Sequence, residues 1–273
     1  MVRSVEFAGF SVGPGHPLAI LAGPCVLEDP EMALRAADGL ARACAAQGLP
    51  YVFKGSFDKA NRTRAESFRG PGLHDGLAWL QRVREQVGVP VTTDVHEPGQ
   101  AAPAAEVVDL LQVPAFLCRQ TDLLLACGRT TRPVNLKKGP FLAPADLRHA
   151  ADKVRGAGSP GVLATERGTT FGYHDLVADL RAIPWLHEVG LPVVFDATHA
   201  VQRPGAADGR SGGDRRLAPV LARAAVAAGA DAIFLEVHPD PDRALSDAAT
   251  QLPLDAVPAL LAELSALAAV VRR

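Results

Sequence analysis

Lysine and asparagine are nearly missing from this chain: five lysines stand against twenty-three arginines, with two asparagines in 273 residues. The scarcity informs because it is uneven. Four of the lysines (Lys54, Lys59, Lys137 and Lys138) and both asparagines (Asn61 and Asn135) lie in KGSFDKAN and VNLKKG, 14 residues in all. A sequence that otherwise prefers arginine keeps lysine where a compact point charge is needed. Charge of one sign is lacking too. The formal net charge is −2, which excludes a basic face for nucleic acid or an anionic membrane. MVRSVEFAGF lacks a signal-peptide core, and no run nears about 18 uncharged apolar residues, so a cytoplasmic protein is expected. There the four cysteines, Cys25, Cys44, Cys118 and Cys127, are expected to be thiols rather than disulfides.

What the sequence does have is alternation. Strand candidates are PLAILAGPC, YVFKGSF, PVTTDVHE, DLLQVPAF, PVNLKKG, GVLATERG, PVVFDATHA and AIFLEVHP. Helical patterns follow at 31–47, 73–87, 99–106, 120–128, 144–156, 175–189, 215–228 and 254–270. Several end at glycine before the next strand, as in AAQGLPYV and EQVGVPVT. Strands separated by helices imply βαβ units and a parallel sheet. Eight units in about 250 residues favour an α/β fold of the (β/α)8 TIM-barrel type over a doubly wound sheet. Residues 1–17, with Gly13-Pro14-Gly15 between two short extended runs, read as a hairpin capping the barrel floor. No linker is evident, so 1–273 is expected to be one domain.

Barrel chemistry belongs at the C-terminal ends of the strands. Those ends read Cys25, Lys54, Asp94, Gln112, Lys137, Arg167, His199 and Glu236. One polar strand end is ordinary; eight in register point to a site. Lys54, Lys59, Lys137, Lys138 and Arg167 form a cationic set suited to phosphate and carboxylate oxygens. Ser211-Gly212-Gly213, ahead of a helix start, adds a candidate phosphate loop. Cys25, His199, Glu236 and Asp247 make a plausible set for a divalent transition metal. A lone barrel cysteine is more often packing, which is the reading for Cys44 and Cys127. His96 and His238 flank the mouth. A Schiff-base aldolase with Lys137 as nucleophile, or a non-catalytic phosphosugar-binding barrel, fits much of the same pattern.

The segments KGSFDKANR, TDVHE, QVPAFLCRQTDLL, NLKKG, FDATHAVQ, SGG, FLEVHPDP and SDAATQLPL resemble the 3-deoxy-D-manno-octulosonate 8-phosphate synthases. The most specific element is Lys59-Ala60-Asn61-Arg62; the related 3-deoxy-arabino-heptulosonate 7-phosphate synthases carry Lys-Pro-Arg there. The resemblance implies a homotetrameric barrel joining phosphoenolpyruvate to arabinose 5-phosphate, an early step toward lipopolysaccharide. It assigns phosphoenolpyruvate to Lys59, Lys137 and Arg167, with Ser56 and Gln112 assisting and Lys54 beside them. Arabinose 5-phosphate falls to Asn61, Arg62 and Ser211, with Asp94 on its hydroxyls. Phe116 and Arg119 match residues that reach a neighbouring subunit's site. One branch of the family has asparagine in the GPC position and works without metal. The other has cysteine and needs a divalent metal (Zn, Mn, Fe, Co or Cd). Cys25 places this chain in the second branch by resemblance, with His199, Glu236 and Asp247 completing the ligand set.

Overall fold

The computed structural model describes residues 2–207 and 210–272, and of Ala207, Arg210 and Ser211 the backbone alone. Strands β1 (Val5–Phe7) and β2 (Phe10–Val12) form an antiparallel hairpin. Its turn is Ala8-Gly9, where both residues have positive φ, so Gly13-Pro14-Gly15 follows the hairpin instead of making its turn. The next elements are β3 (Ala19–Gly23), α1 (Pro30–Ala45), β4 (Tyr51–Lys54), α2 (Leu73–Val87), β5 (Val91–Asp94), α3 (Pro98–Val107), β6 (Leu110–Val113) and α4 (Thr121–Arg129). Then come β7 (Val134–Lys137), α5 (Leu147–Gly156), β8 (Val162–Glu166), a hairpin of β9 (Thr169–Thr170) and β10 (Leu176–Val177), and α6 (Ala182–Glu188). The chain continues with β11 (Val193–Asp196), hairpin strands β12 (Gln202–Ala207) and β13 (Arg210–Gly213), α7 (Ala218–Ala227), β14 (Ala232–His238), β15 (Leu252–Pro253) and α8 (Val257–Val271).

Strands β3 to β8, β11 and β14 pair in parallel in chain order, and pairing of β14 with β3 and with β11 closes the ring. This is the expected eight-stranded barrel with helices outside. One segment departs from expectation. Residues 175–189 carry helix only at Ala182–Glu188, because the stretch before it folds as the β9–β10 hairpin. Gly172 and His174 both take positive φ in its turn, which a helix cannot accommodate.

Local chemistry explains the element ends. Asp29 caps α1 by accepting from Met32 N at 2.8 Å, with Pro30 at the first helical position. The Gln100 side chain accepts His96 N and Glu97 N at 2.8 and 3.3 Å, so α3 starts directly below the β5 end. At Gly23 a Cβ would lie 2.0 Å from the Lys54 carbonyl oxygen, so glycine alone lets the ends of β3 and β4 close together. Among the described residues, helix α8 and the turn before it form the one stretch, Leu254–Val271, long and apolar enough to cross a membrane by composition. Its Val257, Leu260, Leu261 and Leu264 are buried, and it packs on α1 and α7 in the outer layer.

Two cores result. The larger lies between strands and helices. The smaller fills the barrel's lower interior: Val5, Phe7 and Val12 of the hairpin pack against Leu21, Val52, Leu110, Leu163, Val194 and Phe234. The hairpin therefore plugs the floor, as expected. Burying such side chains stabilises by roughly 1.5–3 kcal/mol each.

Candidate active site

The strand ends do converge. A cavity of about 160 Å³ opens at the barrel mouth, lined by Lys54, Lys59, Asn61, Asp94, His96, Phe116, Lys137, Arg167 and His199. Its base is aromatic: Lys137 Nζ sits 3.6 Å from the Phe234 ring centroid and Lys54 Nζ 5.6 Å from it.

One wall is a continuous run of side-chain hydrogen bonds across neighbouring strands. Thr165 Oγ1 donates to Asn135 Oδ1 at 2.6 Å, and Asn135 Nδ2 donates to Gln112 Oε1 at 2.9 Å. Gln112 Nε2 donates to Asp94 Oδ1 at 2.6 Å, and Ser56 Oγ donates to Asp94 Oδ2. Lys59 Nζ donates to Ser56 Oγ at 3.0 Å. Asp94 is thereby held, and although burial opposes its charge, Lys54, Lys59, His96 and Lys137 keep its carboxyl well below the usual range. Burial likewise opposes the ammonium of Lys59, but the field of Cys25, Asp94, Glu236 and Asp247 raises its pKa.

The cationic set is only partly what the sequence suggests. Lys54 Nζ donates to Glu236 Oε1 at 3.2 Å and to the Cys25 carbonyl at 2.8 Å, and Lys137 pairs with Asp196. Arg167 is different: it is 6% exposed, and its hydrogen-bond partner among the described residues is the neutral Gln202, at 2.9 Å. Lys138 does not belong to the set. Successive side chains on a strand point to opposite faces, so with Lys137 in the mouth, Lys138 points out into the β7 and β8 loops. There it is fully buried beside Gly139, Leu142 and Thr169.

The opposite wall holds the expected ligand set. Cys25, Glu236 and Asp247 offer donor atoms within 4.8 Å of one another. His199 Nε2 lies 3.6 Å from Glu236 Oε1 and 3.8 Å from Asp247 Oδ2, while its Nδ1 faces Asp196 Oδ2 at 2.7 Å. Asp196 Oδ1 also accepts His199 N at 2.9 Å and Thr198 Oγ1 at 3.1 Å, which fixes the turn carrying the imidazole. Asp247 takes a positive φ of 47°, held by Thr250 N and Gln251 N on its carbonyl. Cys25 Sγ meets Ser246 Oγ at 3.0 Å and Asp247 Oδ2 at 3.4 Å. Burial and the Asp247 and Glu236 carboxylates push its thiol well up. For Glu236 burial again opposes the charge, but His199, Lys54, Lys59 and Lys137 bring it down to about 2. Glu236 Oε2 is buried with no hydrogen-bond partner.

The remaining sequence-derived residues divide. Asn61 and the half-exposed Phe116 reach the cavity rim. Arg62 donates to Phe68 O at 2.8 Å on its own loop, and Arg119 is exposed outside the cavity lining. Ser211 lies on β13, and its side chain is outside the described residues. His238 is turned to Asp240 N and toward Glu28, below the rim. Sequence reasoning assigned no role to Asp196, Asn135, Ser246 or Gln202. Asp196 was legible as the acidic residue three before His199, and Asn135 as one of two asparagines.

Residues 3–271 match the DAHP synthetase I family. The chain is 61% identical over 248 residues to 2-dehydro-3-deoxyphosphooctonate aldolase of Nitratidesulfovibrio vulgaris, covering 91% of each chain. It is 56% identical over 267 residues to the protein of that name from Syntrophobacter fumaroxidans, covering 98% of this chain and 92% of the relative. For Geobacter sulfurreducens the identity is 50% over 272 residues and both chains are fully covered.

Proposed function

This chain belongs to the DAHP synthetase I family, and from that premise we propose that it joins phosphoenolpyruvate to D-arabinose 5-phosphate with water, releasing inorganic phosphate. The product is 3-deoxy-D-manno-octulosonate 8-phosphate, on the route to lipopolysaccharide, in keeping with the name its relatives carry. The observation that carries the assignment of roles is Arg167: a buried guanidinium lining the cavity with Lys137, whose hydrogen-bond partner among the described residues is the neutral Gln202. Such a cation is an anion site.

Lys137, Arg167 and Lys59 hold the carboxylate and phosphate of phosphoenolpyruvate, with Ser56 and Gln112 fixing Asp94 and Lys59 behind them. Asn61, at the rim, meets the sugar phosphate; Arg62 and Ser211 are assigned to the same phosphate by the family resemblance. Asp94 faces the sugar hydroxyls. The reaction forms a bond from C3 of phosphoenolpyruvate to the aldehyde carbon while a water oxygen joins C2 and phosphate leaves. Positioning and fixed charge supply much of the acceleration.

The donors Cys25, His199, Glu236 and Asp247 suit Zn, Mn, Fe, Co or Cd. Support for the fit comes from the unpartnered Glu236 Oε2 and from His199 Nε2 turned toward two carboxylates with Nδ1 on Asp196. A divalent ion there supplies Lewis acidity and a charge that lowers the Cys25 pKa. His199 and Asp247 stand at the cavity's edge, where Asp196 orients the imidazole and sets its tautomer.

We also propose a homotetramer in the cytoplasm. Phe116, Phe141, Phe171 and Tyr173 are exposed on the loops after β6, β7 and β8, and Arg119 is exposed on the first of them, which supports burial of this rim against a second copy. A reducing compartment suits four free buried cysteines.

Phosphate release from phosphoenolpyruvate, measured with arabinose 5-phosphate and erythrose 4-phosphate in parallel, tests the assignment. Arabinose 5-phosphate is expected to be used far better, and equal turnover overturns the reading of Lys59–Arg62. Borohydride in the presence of substrate is expected to trap no imine on Lys137.

A further inference from the structure

Lys138 and Glu166 are buried, charged and outside the cavity lining. Glu166 ends β8 and Lys138 directly follows the neighbouring β7, so each precedes or follows a residue of the anion site by one position. Lys138 Nζ lies 3.6 Å from Glu166 Oε2 and also reaches the carbonyls of Gly139 and Leu142 at 3.2 Å and Thr169 Oγ1 at 3.3 Å. One ammonium thus gathers the β7 loop, the β8 end and the β9 hairpin.

The other carboxylate oxygen closes the arrangement. Glu166 Oε1 accepts Gly168 N at 2.6 Å, drawing a tight loop around Arg167, the residue between them. Gly168 has φ +94°, a conformation that suits glycine. Thr170 N donates to Pro140 O at 2.9 Å, a second tie between the same two loops. Among the described residues Glu166 Oε2 has no hydrogen-bond partner, and Lys138 is its neutralising contact.

The geometry points to Lys138 and Glu166 as positioning residues that set the Arg167 guanidinium relative to Lys137, and so tune affinity for the enolpyruvyl anion without touching it. Burial of both charges is tolerated because each neutralises the other. Burial pushes the Glu166 carboxyl up and the Lys138 ammonium down, and their mutual attraction opposes both shifts.

The inference rests on the assignment of phosphoenolpyruvate to Lys137 and Arg167, so the test carries Arg167→Ala beside the pair variants. Steady-state kinetics are read on metal-loaded enzyme, with thermal unfolding as a folding check. Lys138→Met and Glu166→Ala are expected to raise KM for phosphoenolpyruvate about tenfold, with kcat and KM for arabinose 5-phosphate each moving less than about threefold. Glu166→Gln keeps an oxygen for Gly168 N but leaves Lys138 without its counter-charge, so it is expected to recover part of that loss. If Arg167→Ala leaves KM for phosphoenolpyruvate unchanged, the anion-site assignment and the positioning role fall together. If Arg167→Ala raises it while both pair variants do not, the positioning role alone falls. Equal rises for both substrates, or Glu166→Gln as damaged as Glu166→Ala, also overturn it. Should Lys138→Met fail to fold, the two Glu166 variants decide the matter on their own.

Discussion

The two walls of the barrel mouth are built on different terms. From β4 to β8, Lys59, Ser56, Asp94, Gln112, Asn135 and Thr165 are bonded in sequence, each to the next. Across the cavity, Cys25, His199, Glu236 and Asp247 face one another without a comparable set of bonds, and Glu236 Oε2 has none. Four residues of the first wall, Asp94, Gln112, Asn135 and Thr165, come from strand positions, where pleat and register fix direction, and Ser56 and Lys59 follow β4. The second draws Asp247 from a loop held at positive φ and His199 from a turn. A bonded wall is finished by the protein itself, whereas facing donors with an unmet acceptor are what supports the proposal of a cation there.

The sharpest way to break the comparison is to remove the cation. Wild-type enzyme stripped of metal, with removal verified by elemental analysis, is expected to lose activity and regain it on adding divalent metal. Full rate in the stripped enzyme sinks the ligand role of Cys25 and its partners. Cys25→Ala is expected to bind metal poorly by the same analysis.

Next in size is Lys137→Arg, which keeps the charge but displaces it from Phe234 and Asp196. A rate loss of about 10² or more is expected from single-turnover measurements. A near wild-type rate shows that the wall tolerates any cation there.

Stability separates the walls more gently. Asn135→Leu leaves Gln112 Oε1 and Thr165 Oγ1 buried without their partner and is expected to cost about 1–3 kcal/mol in urea unfolding. Ser246→Ala, on the metal wall, is expected to cost under about 1 kcal/mol in metal-free protein. Equal costs erase the distinction.

The smallest effect is pH-dependent. Glu236 has its folded pKa lowered from 4.5 to about 2. Its ionisation therefore stabilises the metal-free fold above pH about 4.5, and that contribution is lost as pH falls toward about 2. The stability difference between wild type and Glu236→Gln is expected to shrink across that window. A difference that stays flat argues against the field of His199 and the lysines.

The barrel and the strand-end positions of Asp94 and Gln112 were legible because both live on strands, whereas the bonds that Asn135 and Thr165 add to that wall were not. A short apolar run ending in a polar residue, repeated between glycine-terminated helices, fixes the side and depth of Lys54, Asp94, Gln112 and Lys137 at once. Lys138 was misplaced for want of that same rule, since the next residue along a strand points away. The shortened helix at Ala182–Glu188 was hidden because Leu176 and Val177 satisfy a helical pattern while pairing with Thr169 and Thr170. The turn at Ala8-Gly9 lost out to the louder Gly13-Pro14-Gly15. Asp196 and Ser246 bond to functional side chains through folded geometry, and spacing carries little of that signal.

The plugged floor has a consequence for traffic. With Val5, Phe7 and Val12 sealing one end, the barrel is a vessel with a single door. Lys137 and Arg167 lie deep, at 5% and 6% exposure, while Asn61 and Phe116 stand at the threshold. A ligand settling against Lys137 and Arg167 therefore passes the threshold lined by Asn61 and Phe116 both on its way in and on its way out.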